Sequence, residues 1–150
     1  MRIALAADHA GVALKRDVIR TLEELGIGYE DFGTVSEESV DYPDYAVAVA
    51  RRVASGEFDR GILVCGTGVG MAIAANKVAG VRAAPVVDLE SARLSREHND
   101  ANVLALGARV TPSDQALAIV REFLQTPFAG GRHQRRIDKI AALETPSATA

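Results

Sequence analysis

The chain has 150 residues, 48% of them apolar, with a formal net charge of −3 and a pI near 5.6. That length supports one domain with a proper core and falls short of two, and the acidic balance offers no global attraction to nucleic acid or an anionic membrane surface. A single cysteine excludes an intrachain disulfide, no apolar run approaches the ~18 residues of a membrane span, and Met1 leads directly into Arg2-Ile3-Ala4-Leu5, so the chain reads as soluble, reduced and cytoplasmic.

Short apolar runs alternate with helical patterns from end to end, without a linker or a repeat. The runs predict strands at Ile3–Ala7, Gly28–Phe32, Gly61–Cys65, Arg82–Val87 and Asn102–Leu106. Between the first two, Leu14, Val18, Leu22 and Leu25 recur at helical spacing and Gly26 supplies a stop. Tyr45–Val53, after Pro43, carries its apolar residues on one helical face, and Met71–Ala75 reads as a short helix after a glycine run. Leu89–His98 continues the alternation, followed by Pro112–Leu124 with Thr111 as its N-cap and Pro112 at the first helical position. A last helix is expected from about Arg132 to Leu143. The small polar residues at 145–150 read as a frayed tail, leaving 1–144 as the domain.

Strand-helix alternation with apolar strands predicts a single-domain, three-layer α/β fold of the Rossmann or flavodoxin-like kind. Its five parallel strands take the expected order 2-1-3-4-5, with helices on both faces and a C-terminal helix added. Pro85 inside the fourth strand predicts an irregularity there. In such a sheet ligands bind outside the carboxyl ends of strands one and three, where the winding reverses. Asp8-His9 follow strand one and Cys65-Gly66-Thr67 close strand three, so topology alone brings two polar clusters to the crevice.

Cys65-Gly66-Thr67-Gly68-Val69-Gly70 places one ionisable thiol at the head of a loop almost free of side chains. Such a loop turns backbone N–H groups and a helix start toward one point, favouring negative charge on a ligand and thiolate over thiol at Cys65. A free cysteine at a strand end is often only a small buried hydrophobe, but these glycines suggest a base or nucleophile beside an anion hole. The spacing is neither the G-x-G-x-x-G of a dinucleotide site nor a P-loop, although Asp88 stands where a ribose-binding carboxylate is expected.

Asp8 suits capping of the first helix, and with His9 beside it a substrate contact is expected. His98, in the polar run Arg96-Glu97-His98-Asn99-Asp100, is either a solvated helix end or a general acid or base aimed at the carboxyl edge of the sheet. Arg132 and Arg136 stand four apart, so two guanidiniums share one helical face, where an anion between them relieves their repulsion. Guanidinium forks match phosphate oxygens. Arg109 is placed to join the same anion, while Arg135 falls off that face. Three dispersed histidines and one cysteine give no structural zinc spacing, so neither metal nor cofactor is expected. A base, an amide anion hole, an imidazole and phosphate-binding arginines suit proton abstraction beside the carbonyl of a small phosphorylated substrate. Aldose-ketose interconversion through an enediolate is the simplest such reaction. A flavodoxin-like module that binds a nucleotide or phosphosugar without transforming it is the alternative from another class.

The chain resembles the type B ribose-5-phosphate isomerases and the related galactose-6-phosphate isomerase subunits over roughly residues 2–143. The likeness runs through Ala7-Asp8-His9-Ala10-Gly11, Asp41-Tyr42-Pro43, Cys65 to Gly70, Ala74-Ala75-Asn76-Lys77, Arg96 to Asp100 and Gly131 to Arg136. It implies a metal-independent isomerase of ribose 5-phosphate and ribulose 5-phosphate in the non-oxidative pentose phosphate pathway. It also implies a homodimer, in some members paired into a homotetramer, whose sites draw on two subunits. By the same resemblance, Cys65 moves the proton between C2 and C1, and His98 opens the furanose ring. Asp8 and His9 contact the sugar, and Gly66, Thr67, Gly68, Val69 and Gly70 hold the enediolate oxygens through amides and the Thr67 hydroxyl. Asn99 binds a substrate hydroxyl, and Arg109, Arg132 and Arg136 hold the phosphate. Some relatives use a glutamate six residues after the cysteine position; Met71 stands there and cannot accept a proton. Glu90 occupies a position where relatives often carry an aromatic, which bears on sugar preference. Hexose 6-phosphates, allose or galactose, remain alternative substrates at this point.

Overall fold

The computed structural model describes residues 1–144; the tail expected at 145–150 lies outside the described residues. In chain order the elements are β1 (Arg2–Ala7), a single 3-10 turn (His9–Gly11), α1 (Val12–Glu24), β2 (Gly28–Asp31), α2 (Tyr42–Ala54) and β3 (Arg60–Cys65). Then come α3 (Val69–Ala75), β4 (Ala83–Pro85), α4 (Leu89–Glu97), β5 (Val103–Gly107), α5 (Ser113–Gln125) and α6 (Arg132–Ala142). Among the described residues no helix is long and apolar enough to cross a membrane.

All five strands pair in parallel, in the order β2-β1-β3-β5-β4. The expected order 2-1-3-4-5 is therefore corrected at one side: β5 lies against β3, and β4 is outermost. Burial explains the exchange. Every residue of β5 is buried, whereas β4 has three residues, two half-buried and Pro85 exposed. Proline has no N–H to offer a further strand and belongs at a sheet edge. The other edge, β2, is polar and largely exposed, so strands apolar on both faces are found only at the centre.

Right-handed crossovers convert this order into layers. The steps from β1 to β2 and from β4 to β5 run in one direction across the sheet, and those from β2 to β3 and from β3 to β4 run in the other. Accordingly α1, α4 and α5 cover one face and α2 and α3 the other. The first face packs Ile3, Leu5, Ile62, Val64, Leu104 and Leu106 under Leu14, Val18, Leu22, Ala92, Ile119 and Phe123. The second packs Ala4, Ala6, Leu63, Val103 and Ala105 under Val49, Ala50, Met71 and Ala72. Burying a Leu, Ile or Phe side chain contributes about 1.5–3 kcal/mol before the entropy of ordering it is subtracted, so these two faces drive folding.

Helix starts differ from the sequence expectation in one instructive place. α5 begins at Ser113 with Pro112 as its N-cap, and Thr111 Oγ1 is buried without a hydrogen-bond partner among the described residues, so Thr111 does not cap this helix. The loop after β3 rests directly on β5. A Cβ at Gly107 would lie 2.5 Å from the carbonyl carbon and oxygen of Thr67, and Gly68, at φ +82°, lies against the backbone of Ala105 and Leu106. Gly107→Ala is expected to cost about 1–3 kcal/mol, because the backbone contact must open to admit a methyl group. Urea denaturation measures this, and an unchanged midpoint would show that the loop yields freely.

Candidate active site

At the carboxyl edge, Asp8 leaves β1 and accepts a hydrogen bond from Ala10 N–H at 3.0 Å, capping the 3-10 turn. The turn sits close because Gly11 has no Cβ, which would stand 2.6 Å from the Val64 carbonyl oxygen. His9 Nδ1 accepts from Val40 N–H at 3.2 Å, so the remaining ring proton is on Nε2, facing outward from that bond. The loop that supplies Val40 is tied down at its start by the buried Lys15, whose Nζ donates to Asp31 Oδ1 at 2.7 Å and to the Thr34 carbonyl.

Cys65 ends β3, is 4% exposed, and receives the Gly68 N–H on Sγ at 3.1 Å. Val69 N–H donates to Thr67 Oγ1 at 3.3 Å. Of the amides expected to face a ligand, those of Gly68 and Val69 are thus engaged within the loop. Those of Gly66, Thr67 and Gly70 have no hydrogen-bond partner among the described residues. The exposed Arg109 lies over Gly66, its Nη1 being 3.0 Å from where a Cβ would stand. Met71, the position where a glutamate base would stand, is fully buried beneath α2.

The second group lies at the other end of the strands. α4 starts after β4 at the carboxyl edge and returns to the amino edge, where His98 is its C-cap and Asn99 follows, exposed. Arg96 fastens this turn: it donates to Asp100 Oδ1 at 2.8 Å, to the Ala101 carbonyl at 2.6 Å and to the Thr126 carbonyl at 3.1 Å. Arg82 adds a bond to the Asp100 carbonyl at 2.9 Å, holding Asp100 at φ +45°. α6 begins beside it, joined through Ala129 N–H to the Glu97 carbonyl at 3.0 Å. Arg132 and Arg136 are exposed on α6, four residues apart as expected, while His133 and Ile137 face inward.

Two expectations are corrected here. His98 is not aimed at the carboxyl edge, and Arg109 does not share one chain's anion site with Arg132 and Arg136. The four steps of β5 at ~3.3 Å rise separate the edges by about 13 Å, beyond the reach of either side chain. Asn99 lies with His98; Asp8, His9, Thr67 and the glycines lie with Cys65. A cavity of about 740 Å³ between the β4 edge and the end of α6 takes in Asn99 and none of the other expected residues.

Tyr42 and His133 lie within the motifs that carry the resemblance, yet neither has an expected role. Tyr42, 40% exposed, lays its ring against Gly70, with Cζ 2.8 Å from where a Cβ would stand. It opens α2, and a helix that follows a parallel strand begins at the carboxyl edge, which is the signal that could have placed it. His133 stacks on His98, with ring centroids 4.3 Å apart and planes 16° from parallel. Burial, followed by His98, Arg132 and Arg136, lowers its pKa from the ordinary imidazole value, against a raising effect of Glu97.

Known proteins add an independent finding. Residues 3–140 match the family model described as Ribose/Galactose Isomerase. The chain is 51% identical to ribose-5-phosphate isomerase B of Escherichia coli, with 95% of this chain and 96% of that protein covered. It superposes on the Clostridium thermocellum ribose-5-phosphate isomerase B with a TM-score of 0.95 at 53% identity, covering 96% and 97% of the two chains. The Mycoplasma genitalium enzyme with bound ribulose 5-phosphate gives a TM-score of 0.94 at 44% identity, with 97% of each chain covered.

Asp88 offers a test of the nucleotide alternative. Its carboxylate accepts the Ser91 amide and hydroxyl, each at 2.7 Å, so it is the N-cap of α4. Those bonds, the amide first, hold its pKa below the usual carboxylate value. A carboxyl group with a depressed folded-state pKa stabilises above its unfolded pKa and loses that contribution as pH falls through the folded value. Asp88→Ala is therefore expected to lower stability at neutral pH, with a deficit that shrinks on acidification. Thermal melts across the acid range check this; a deficit independent of pH would mean that the cap is not carried by the charged carboxylate.

Proposed function

The chain belongs to the ribose/galactose isomerase family, and we propose that it interconverts ribose 5-phosphate and ribulose 5-phosphate at a site completed by a second copy of itself. The observation that carries this reading is the division of the expected residues between the two sheet edges. Each chain has a thiol and free amides at one edge, and an imidazole and paired guanidiniums at the other. A two-fold dimer that brings one chain's carboxyl edge against its partner's amino edge makes two whole sites, since an isologous contact satisfies both chains at once. The exposed Val69 and Ile73, four apart on α3 beside the Cys65 loop, offer an apolar strip for such a contact.

The reaction starts with His98 of one subunit giving a proton to the furanose ring oxygen while the 1-hydroxyl gives its own to water, from which His98 is reprotonated. The C1–O ring bond breaks and the aldehyde forms. Cys65 of the other subunit, as thiolate, takes the proton from C2, and the bond pair becomes the C1–C2 double bond of an enediolate. Charge on O1 faces the amides of Gly66 and Gly70 and the Thr67 hydroxyl, donors already oriented before charge develops. The Gly68 amide serves the sulfur and Val69 closes the loop. The proton on O2 passes to O1, the thiol returns its proton to C1, and the ketose results. Asp8, through the carboxylate oxygen its cap leaves free, His9, through Nε2, and Asn99 hold hydroxyls, with Tyr42 as a wall. Arg109 from one subunit and Arg132 and Arg136 from the other take the phosphate, tethering the sugar away from the reacting carbons.

Cys65→Ala is expected to lose about 10² to 10⁴ in isomerisation while retaining phosphosugar binding, because a positioned base contributes that factor. Near-normal turnover would reject the base. Arg136→Ala is expected to raise KM with little change in kcat, and an unaltered KM would count against its phosphate contact. The composite site has a sharper test. Inactive Cys65→Ala and His98→Asn chains, mixed and allowed to exchange subunits, should regain roughly a quarter of normal turnover, since half the dimers are mixed and one site in each is intact. No recovery despite demonstrated exchange would place both groups in one chain's site.

A further inference from the structure

We propose that His133 is the positioning residue for His98, a ring platform that fixes the plane of the imidazole for the ring-opening proton transfer; this rests on the His98 role stated above. His98 sits at the last turn of α4, half-exposed, and its side chain makes no hydrogen bond among the described residues. An imidazole in that position turns freely about its outer torsion, which is broad and two-fold. The stack on His133 is what restrains it: centroids 4.3 Å apart and planes 16° from parallel.

The platform itself is fixed from three sides. His133 is 9% exposed and, with Ile137 one turn later, forms the buried face of α6. Its amide donates to the Gly130 carbonyl at 3.2 Å. The Ala129 amide bonds the Glu97 carbonyl, so the chain segments on which the two rings stand are stapled together next to the stack. On the His98 side, the bonds of Arg96 and Arg82 to the Asp100 turn keep the segment after the ring from shifting.

Charge fits the same role. Burial first, then His98, Arg132 and Arg136, lower the pKa of His133 against the raising effect of Glu97, which favours the neutral ring relative to an ordinary histidine. A neutral aromatic face tolerates, and attracts, a cationic ring laid on it, whereas two imidazolium rings at that spacing would repel. His98 can therefore carry its proton without losing its support. The platform stands between the two arginines in sequence, but it is buried while their guanidiniums are exposed. Loss of the ring should disturb proton transfer far more than phosphate binding.

Exchange between the two furanose anomers of ribose 5-phosphate, followed by saturation-transfer NMR in the Cys65→Ala background, reads ring opening without isomerisation. Cys65→Ala should accelerate that exchange, and adding His98→Asn should abolish the acceleration. Adding His133→Ala should reduce it about 10- to 100-fold, the cost of a misplaced catalytic group, with the Kd for ribose 5-phosphate within about twofold. His133→Phe, which keeps a flat neutral ring, should restore most of the exchange. The upfield ring-current shift of the His98 Hε1 proton should vanish in the alanine variant and persist in the phenylalanine one. If Cys65→Ala gives no acceleration, or His98→Asn leaves it intact, the ring-opening role falls and takes the platform with it. If His98→Asn abolishes exchange but His133→Ala does not slow it, or phenylalanine fails as badly as alanine, the platform alone is overturned.

Discussion

Parallel strands joined by helices impose one constraint on which the rest of this molecule depends. Each strand ends at the carboxyl edge of the sheet, and each crossover helix must carry the chain back to the amino edge before the next strand can start. A residue that ends or follows a strand, as Cys65, Asp8 and Arg109 do, is therefore bound to one edge. A residue that ends a crossover helix, as His98 does, is bound to the other. The thiol and the imidazole are apart because of topology, and no side-chain rearrangement within one chain brings them together.

The carboxyl edge is shaped by backbone lying on backbone. Gly107 against Thr67 and Gly11 against the Val64 carbonyl let the loops after β1 and β3 settle onto the strand ends with no side chain between them. Gly68 adds a conformation, φ +82°, in which its amide reaches Cys65 Sγ. Packing this tight keeps the amides of Gly66 and Gly70 in place before any ligand arrives, which is what electrostatic stabilisation of a developing oxyanion requires. Tyr42 over Gly70 and Val40 on His9 extend the same rigidity to the loop between β2 and α2.

The amino edge is held by charge instead. Arg96, 5% exposed, is satisfied by Asp100 and two carbonyls, and with Arg82 it pins a turn whose Asp100 has a positive φ. Removing one partner of such a cluster strands a buried charge, so the turn carrying His98 and Asn99 is stiff although it is a loop. α6 meets that turn mainly through the His98–His133 stack and the Glu97–Ala129 bond, and presents Arg132 and Arg136 outward. Two edges built by different physics are thus each rigid, and each presents half of a chemical inventory.

The sequence by itself determined the parallel α/β class, the placing of Asp8, His9 and Cys65 at one crevice and the shared helical face of Arg132 and Arg136. Those follow from local patterns: hydrophobic period, turn residues and spacing along a helix. It also contained, unread, the edge to which His98 belongs, since a residue before a strand cannot stand beside one that follows a strand. Only the tertiary structure decided that β5 lies inside β4, that Asp88 spends its carboxylate on Ser91, and that His133 lies flat on His98. Each of these is a competition between elements distant in the chain. A short strand with a proline cedes the centre to a fully apolar one, and two rings meet because the segments that carry them are tied through the backbone of Glu97 and Ala129.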